Sequence, residues 1–162
     1  MTASVNNRIA NPKVSIMGIT HVARASSVQA VANNTAVAIS WDTVVSDSLG
    51  TYSAGAPTRI TVPQGATHCV VVGHCEWTIN GTGYRSLRLN INGSAAANPQ
   101  YSPTDVRMPN GSISDHNHCA SALMPVDAGD YFEFMARQLS TISLDILTAN
   151  TRCIVEWYSL NI

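Results

Sequence analysis

The sequence predicts an all-β chain: an antiparallel two-sheet jelly-roll sandwich of about eight to ten strands, preceded by an extended N-terminal arm. Three observations carry that expectation. Strong helix formers are scarce, with one lysine and three glutamates in 162 residues. Short apolar–polar alternations recur where helical periodicity is missing, and glycine or proline stops most of them. Asn-Gly pairs at 80–81, 92–93 and 110–111 mark tight turns, because both residues tolerate positive φ.

Taken in chain order, residues 1–35 mix Val and Ile with Asn, Ser and Ala and show no clear alternation. They are expected to form an arm that orders against another surface, with Arg8, Ile9, Val14, Ile16 and Ile19 as its contact candidates. Residues 36–162 are expected to form the sandwich, with strands over 36–43, 58–63 and 68–78. The next strand is the most regular. From Tyr84, alternation puts Arg85, Leu87, Leu89 and Ile91 on one side, expected buried, and Tyr84, Ser86, Arg88 and Asn90 on the other, before Asn92-Gly93 turns the chain. Further strands are expected over 119–126, 131–140, 142–147 and 153–161.

Composition narrows the function. Charged residues are 12% of the chain with a net charge of -1, against about 25% in an ordinary soluble domain. With scattered arginines and no basic patch, a nucleic-acid partner is not expected. No stretch supplies the roughly 20 apolar residues of a bilayer crossing, so no membrane partner is expected either. The first residues lack the apolar core of a cleaved export signal, so export by that route is not expected. Low charge has two explanations. A neutral polar coat on a monomer is one; a surface that meets other subunits, where charge costs desolvation, is the other and is carried forward here. In Tyr131–Gln138, Phe132 and Phe134 point one way and Tyr131, Glu133 and Met135 the other, so both faces carry bulk. Tyr131, Glu133, Met135 and Tyr158 are the candidates for a subunit interface; the competing expectation is that a loop of the same chain covers Tyr131 and Met135.

Three blocks carry a family resemblance: ISWDTVVSD with LGTY and TRITVP (39–63), CEWTINGTGYRSLRLNING (75–93) and MPVDAGDYFEFMARQ (124–138). Together they resemble the tumour-necrosis-factor/complement-type jelly-roll domain, in the version found in bacteriophage structural proteins, across residues 36–160. The resemblance implies a homotrimer whose inner sheets pack around a threefold axis. Gly65 is a departure: family members often carry an aromatic after the Gly that opens the strand containing Glu-Trp, whereas Ala66, Thr67, His68 and Cys69 follow here, which puts that strand's register in doubt.

Four cysteines in a chain without an export signal are expected to be reduced, small apolar core residues. Cys69 and Cys75, six residues apart on one strand, would stand about 20 Å apart and cannot bridge each other; any two-bridge pattern would join each to Cys119 or Cys153. His116 and His118 are the weak metal candidates, since alternate residues of an extended segment share a face. They resemble the His-x-His of cupin-type jelly-roll enzymes, but Ala122 and Leu123 stand where that pattern needs a Glu, so a polar turn is the default and no metal or other cofactor is expected. No Gly-x-Ser-x-Gly elbow or phosphate-cradling loop is present, and the chain is not expected to be an enzyme.

The function expected is that of a virion structural protein: a homotrimeric decoration, or cement, protein on the surface of a bacteriophage capsid, assembled in the host cytoplasm and partnered by the major capsid protein. The alternative is a trimeric receptor- or glycan-binding module of a phage tail or cell surface, reading its ligand through the loop 94–114 with Tyr101, Asp105 and Arg107.

Overall fold

The computed structural model describes residues 13–95, 101–109 and 111–161. Among them the chain forms thirteen strands and no helix, and no helix is therefore long and apolar enough to cross a membrane. The strands are β1 (Lys13–Ala23), β2 (Gln29–Val31), β3 (Ala36–Ala38), β4 (Thr43–Asp47), β5 (Ile60–Thr61), β6 (His68–Trp77), β7 (Tyr84–Ile91), β8 (Thr104–Arg107), β9 (Asp115–Ala120), β10 (Met124–Pro125), β11 (Tyr131–Leu139), β12 (Leu144–Ile146) and β13 (Arg152–Asn161). They make two antiparallel sheets. The larger, of eight strands, runs β2-β12-β6-β13-β1-β4, with β9 and β10 also pairing with β6. The smaller, of five, runs β3-β11-β7-β8, with β5 pairing with β11.

The expected jelly-roll sandwich is present, but residues 13–35 are not an arm. β1 lies between β13 and β4, and β2 pairs with β12. Arg8 and Ile9 lie outside the described residues. The absence of alternation there has a physical cause. A bulge at Met17 lets Ile16 face Tyr158 while Gly18 faces Trp157, so the side-chain phase shifts by one residue within the strand. Beyond it Thr20 and Val22 are fully buried.

Alternation fills the space between the sheets. From the larger sheet β6 contributes Cys69, Val71, Cys75 and Trp77, and β13 contributes Cys153, Val155 and Trp157. Facing them are Leu87 and Leu89 of β7 and Phe132, Phe134 and Ala136 of β11. Phe132 stacks on Trp157 with ring centroids 6.0 Å apart. Gly73 on β6 is the contact that lets the sheets approach: a Cβ built there would lie 2.2 Å from Cζ of Phe134. Register after Gly65, which the departure from the family pattern left in doubt, is set by this row of inward residues from Cys69 to Trp77.

Two hydrogen-bond networks join buried polar groups between the sheets, while among the described residues Arg85 Nε and Gln138 Oε1 are buried without a hydrogen-bond partner. Trp157 Nε1 donates to Thr20 Oγ1 at 2.9 Å; the Thr20 and Thr51 hydroxyls bond each other, which uses one of their two protons, and the other proton is donated to Asp47 Oδ1, which lies within reach of both. Trp77 Nε1 donates to Asn117 Oδ1 at 2.9 Å, and the Asn117 amide donates to the Asp105 carboxylate at 3.0 Å. Arg85, expected on the apolar side of β7, is indeed fully buried. Its guanidinium donates to the carbonyls of Asn80, Thr82 and Tyr84, which ties the 80–83 turn to the core, with Asp115 4.0 Å away. Burial lowers the Arg85 pKa, and Asp115 opposes that shift.

Candidate functional site

Each sheet of a sandwich has one face turned to the core and one turned outward, and the two outward faces differ here. On the larger sheet, register aligns the outward side chains in rows. Val14 stands opposite Leu160, Ile16 opposite Tyr158, Ile19 opposite Glu156 and His21 opposite Ile154. β6 continues those rows with His68 beside Tyr158, Val70 beside Glu156, Val72 beside Ile154 and His74 beside Arg152. β9 adds His118 beside His74 and His116 beside Glu76. The result is an apolar patch down the middle of the sheet, with Glu156 inside it and histidine at its flanks. Val14, Ile16 and Ile19 are 55%, 70% and 42% exposed; Val70, Val72, Ile154, Tyr158 and Leu160 are half-buried.

All five histidines of the chain lie in these rows. His74 is central, its ring 5.3 Å from that of His116 and 6.0 Å from that of His118. It donates from Nδ1 to the Asn150 carbonyl. Burial lowers its pKa, against that hydrogen bond, and Arg152, His116 and His118 lower it further. His21 is shifted the same way, by burial and then by Arg152. Glu76, the register partner of His116, accepts from Ser114 Oγ and Asn150 Nδ2 at 2.9 and 3.0 Å. The segment with His116 and His118 is a strand, not the polar turn expected. No group of three His, Cys, Asp or Glu among the described residues is placed to hold a metal ion.

The interface candidates divide between the two sheets. Tyr158 lies on the larger sheet, beside Ile16, whereas Tyr131, Glu133 and Met135 share the outward face of β11 on the smaller sheet. One flat contact cannot use both groups. Tyr131 and Glu133 are already engaged within the chain: the Arg59 guanidinium sits 4.1 Å from the Tyr131 ring centroid, and Glu133 accepts from Thr58 and Arg59 at 2.7 and 3.4 Å. Val14, Ile16 and Ile19, assigned to an arm from the sequence, instead share a face with Tyr158. Sequence reasoning missed His21, His68, His74, Val70, Val72 and Ile154 for this face; the i, i+2 spacing of 68, 70, 72 and 74 was the available signal.

On the smaller sheet the remaining feature is a half-open pocket of about 330 Å³ between β3, β11, β7 and β8. The loop 94–114, which lies partly outside the described residues, supplies one wall of it through β8. The four cysteines are free and buried. Burial raises the thiol pKa of each, that of Cys119 to about 11, so none is an activated nucleophile.

The fold is a jelly roll of the tumour-necrosis-factor/complement type. Among solved structures, the chain is similar to murine APRIL, with a TM-score of 0.59 and 11% identity over 90% of this chain and 99% of that one. It is similar also to the globular domain of zebrafish complement 1qA protein, with a TM-score of 0.54 and 13% identity over 86% and 93%. Eiger TNF from S. frugiperda gives a TM-score of 0.54 and 10% identity over 86% and 90%. No protein-family profile and no curated protein sequence matches the chain.

Proposed function

We propose that this chain is a structural protein that self-associates as a homotrimer through the outward face of its eight-stranded sheet, and that the trimer decorates a bacteriophage capsid. The observation that carries the reading is the apolar patch of Val14, Ile16, Ile19, Val72, Ile154 and Tyr158, contributed by three adjacent strands and interrupted only by Glu156, which accepts from the Tyr158 hydroxyl. Exposed apolar surface of this kind marks an interaction site, and charged residues are sparse in the chain as a whole. Closed rotational symmetry buries the same stripe in every copy and leaves no open end. The jelly-roll likeness supports the trimer, and the sequence blocks quoted above support the viral setting.

The mechanism is mechanical. A trimer that binds only the assembled shell stabilises it by linkage, and three attachment points give slow release even where each is weak. Residues 1–12, with Arg8 and Ile9, are the segment left for a capsid contact, because β1 is committed to the sheet.

Multi-angle light scattering tests the trimer: a mass three times 17.3 kDa is expected, and a 17.3 kDa particle at micromolar concentration overturns it. Removal of residues 1–12 tests the attachment. The truncated trimer is expected to lose occupancy on purified capsids of the encoding phage, and unchanged occupancy overturns the assignment of the arm.

A further inference from the structure

We propose that the pocket on the outward face of the five-stranded sheet binds a carboxylate-bearing saccharide. The concavity follows from side-chain size. Ala36 of β3 and Ser86 of β7, both small, are the register neighbours of Arg137 of β11, and they form the floor. Larger side chains rise around it: Tyr84, Arg88, Met135, Val106 and Arg137 itself. At about 330 Å³ the space is at the small end of ligand pockets, sized for one sugar ring with its substituents.

Charge gives the chemistry. Met135 stands opposite Arg88 and Arg137 opposite Ser86, so Arg88 and Arg137 are diagonal neighbours, about 7–8 Å apart at the backbone. No carboxylate lines the pocket. Elsewhere on the surface, arginines do find acids: Arg59 pairs with Glu133 and Arg107 with Asp105. The pocket arginines are steadied by neutral amide oxygens instead. Arg88 Nε donates to Asn90 Oδ1 at 3.0 Å. Arg137 donates to Asn34 Oδ1, with its guanidinium 5.8 Å from the Tyr84 ring centroid. Glu133, the other diagonal neighbour of Arg88, is taken up by Thr58 and Arg59, and among the described residues neither pocket arginine forms an ion pair. Two like charges are thus oriented side by side, an arrangement that like-charge repulsion disfavours until an anion sits between them.

The other groups select among anions. Ser86 and Thr104 supply hydroxyls, and Met135, Val106 and the Tyr84 ring supply apolar surface. Alternating hydroxyl and CH patches are what a sugar ring presents in return. An inorganic anion would use the guanidinium groups and the hydroxyls but leave the apolar surface unmatched. The pocket is on the sheet opposite the proposed assembly face, so the inference stands whether or not the chain is a trimer. It also moves the expected ligand contact from Tyr101, Asp105 and Arg107 of the 94–114 loop to Thr104 and Val106 and the sheet beneath.

Amide NMR spectra of the full chain at neutral pH test this with sodium D-glucuronate and N-acetylneuraminate as probes, and D-glucose and sodium acetate as controls. At least one acidic sugar is expected to give saturable shifts at Ser86, Arg88, Thr104 and Arg137, with millimolar affinity because the site is half open. Arg137→Gln and Arg88→Gln should each weaken binding about tenfold, while Arg152→Gln, on the other sheet, leaves it unchanged. The same spectra show whether each variant is folded. No saturable shift with either acidic sugar at tens of millimolar overturns the proposal. Equal binding of glucose removes the role of charge, and equal binding of acetate removes the role of the sugar; either result also overturns it.

Discussion

Outward from the eight-stranded sheet stand Ile16, Ile19, Val72, Ile154, Tyr158 and all five histidines; outward from the five-stranded sheet stand Tyr84, Arg88, Glu133, Met135 and Arg137. The first group is apolar or imidazole, and the charged residues in its rows are Arg152, Glu156 and Glu76. The second group is partly covered by its own chain, through Arg59 on Tyr131 and Glu133, and otherwise forms a charged pocket. The comparison teaches that low overall charge is not spread evenly. It is concentrated on the sheet whose residues pack best against another apolar surface, and the few arginines outside the core sit mainly elsewhere.

The largest expected effect sharpens that contrast directly. Ile154 is on the middle strand of the patch, between His21 of β1 and Val72 of β6. Ile154→Asp would bury three carboxylates in a trimer, and the trimer is expected to weaken at least about a hundredfold, seen as a 17.3 kDa species by light scattering. Met135→Asp, on the other sheet, should leave the mass unchanged. If the two variants exchange these outcomes, the assembly face is the five-stranded sheet.

Gly73→Ala probes the space between the faces. Its new methyl would meet the Phe134 ring at 2.2–2.6 Å, and because Phe134 is buried the ring cannot swing into solvent. A loss of about 1–3 kcal/mol is expected in urea unfolding. Adding Phe134→Leu should return part of it, because removing the ring atoms relieves the overlap. A stable Gly73→Ala variant would mean that the sheets are farther apart than described.

Thr20→Val removes the hydroxyl that joins Trp157 to Asp47 and Thr51. The indole N–H is then buried without an acceptor, at a cost of about 1–3 kcal/mol. Burial raises the Asp47 pKa, but hydrogen bonds from Thr51, Tyr52 and Thr20 outweigh that and hold it below the ordinary 3.8. The variant should therefore also unfold at slightly higher pH on acid titration, and an unchanged acid midpoint would show that Thr20 adds nothing to the carboxylate.

How much of this was legible depends on whether local pattern and tertiary role agree. β7 and β11 were plain, because Leu87, Leu89, Phe132 and Phe134 alternate strictly with polar or outward residues. β1 was not, because the bulge at Met17 breaks the period that identifies a strand. β9 was hidden differently: Asp115-His-Asn-His reads as a polar turn, yet Asn117 is fully buried under Trp77 and the histidines face outward. The outward face was legible only in pieces. Tyr158 and Ile16 were each singled out, but they are 142 positions apart in the sequence and meet only through the β1–β13 register. Tyr131 and Met135 look like Tyr158 by alternation alone, and what separates them is strand pairing, β11 with β7 and β13 with β6, which no local pattern reveals.

The smallest effect is the acid response of the histidine face. His74 is packed among Arg152 of β13, His116 and His118 of β9 and Glu76 of its own strand, and its pKa lies below the ordinary 6.5, as does that of His21. A lowered histidine pKa means that the unfolded chain binds the proton more tightly. Stability is therefore full above 6.5 and falls as pH drops through the native values. The carboxylates act in a separate, more acid window: Asp42, Asp47 and Asp105, held below 3.8, contribute stability that is lost only as pH falls past their own pKa values. Thermal melts from pH 7.5 to 3 should show two steps, and the double variant His21→Asn, His74→Asn should lose the upper step and keep the lower. If the upper step survives, the proton is taken up elsewhere. If light scattering shows the trimer dissociating across that same upper step, the histidines also face the partner copies, which joins the apolar stripe and its flanks into a single interface.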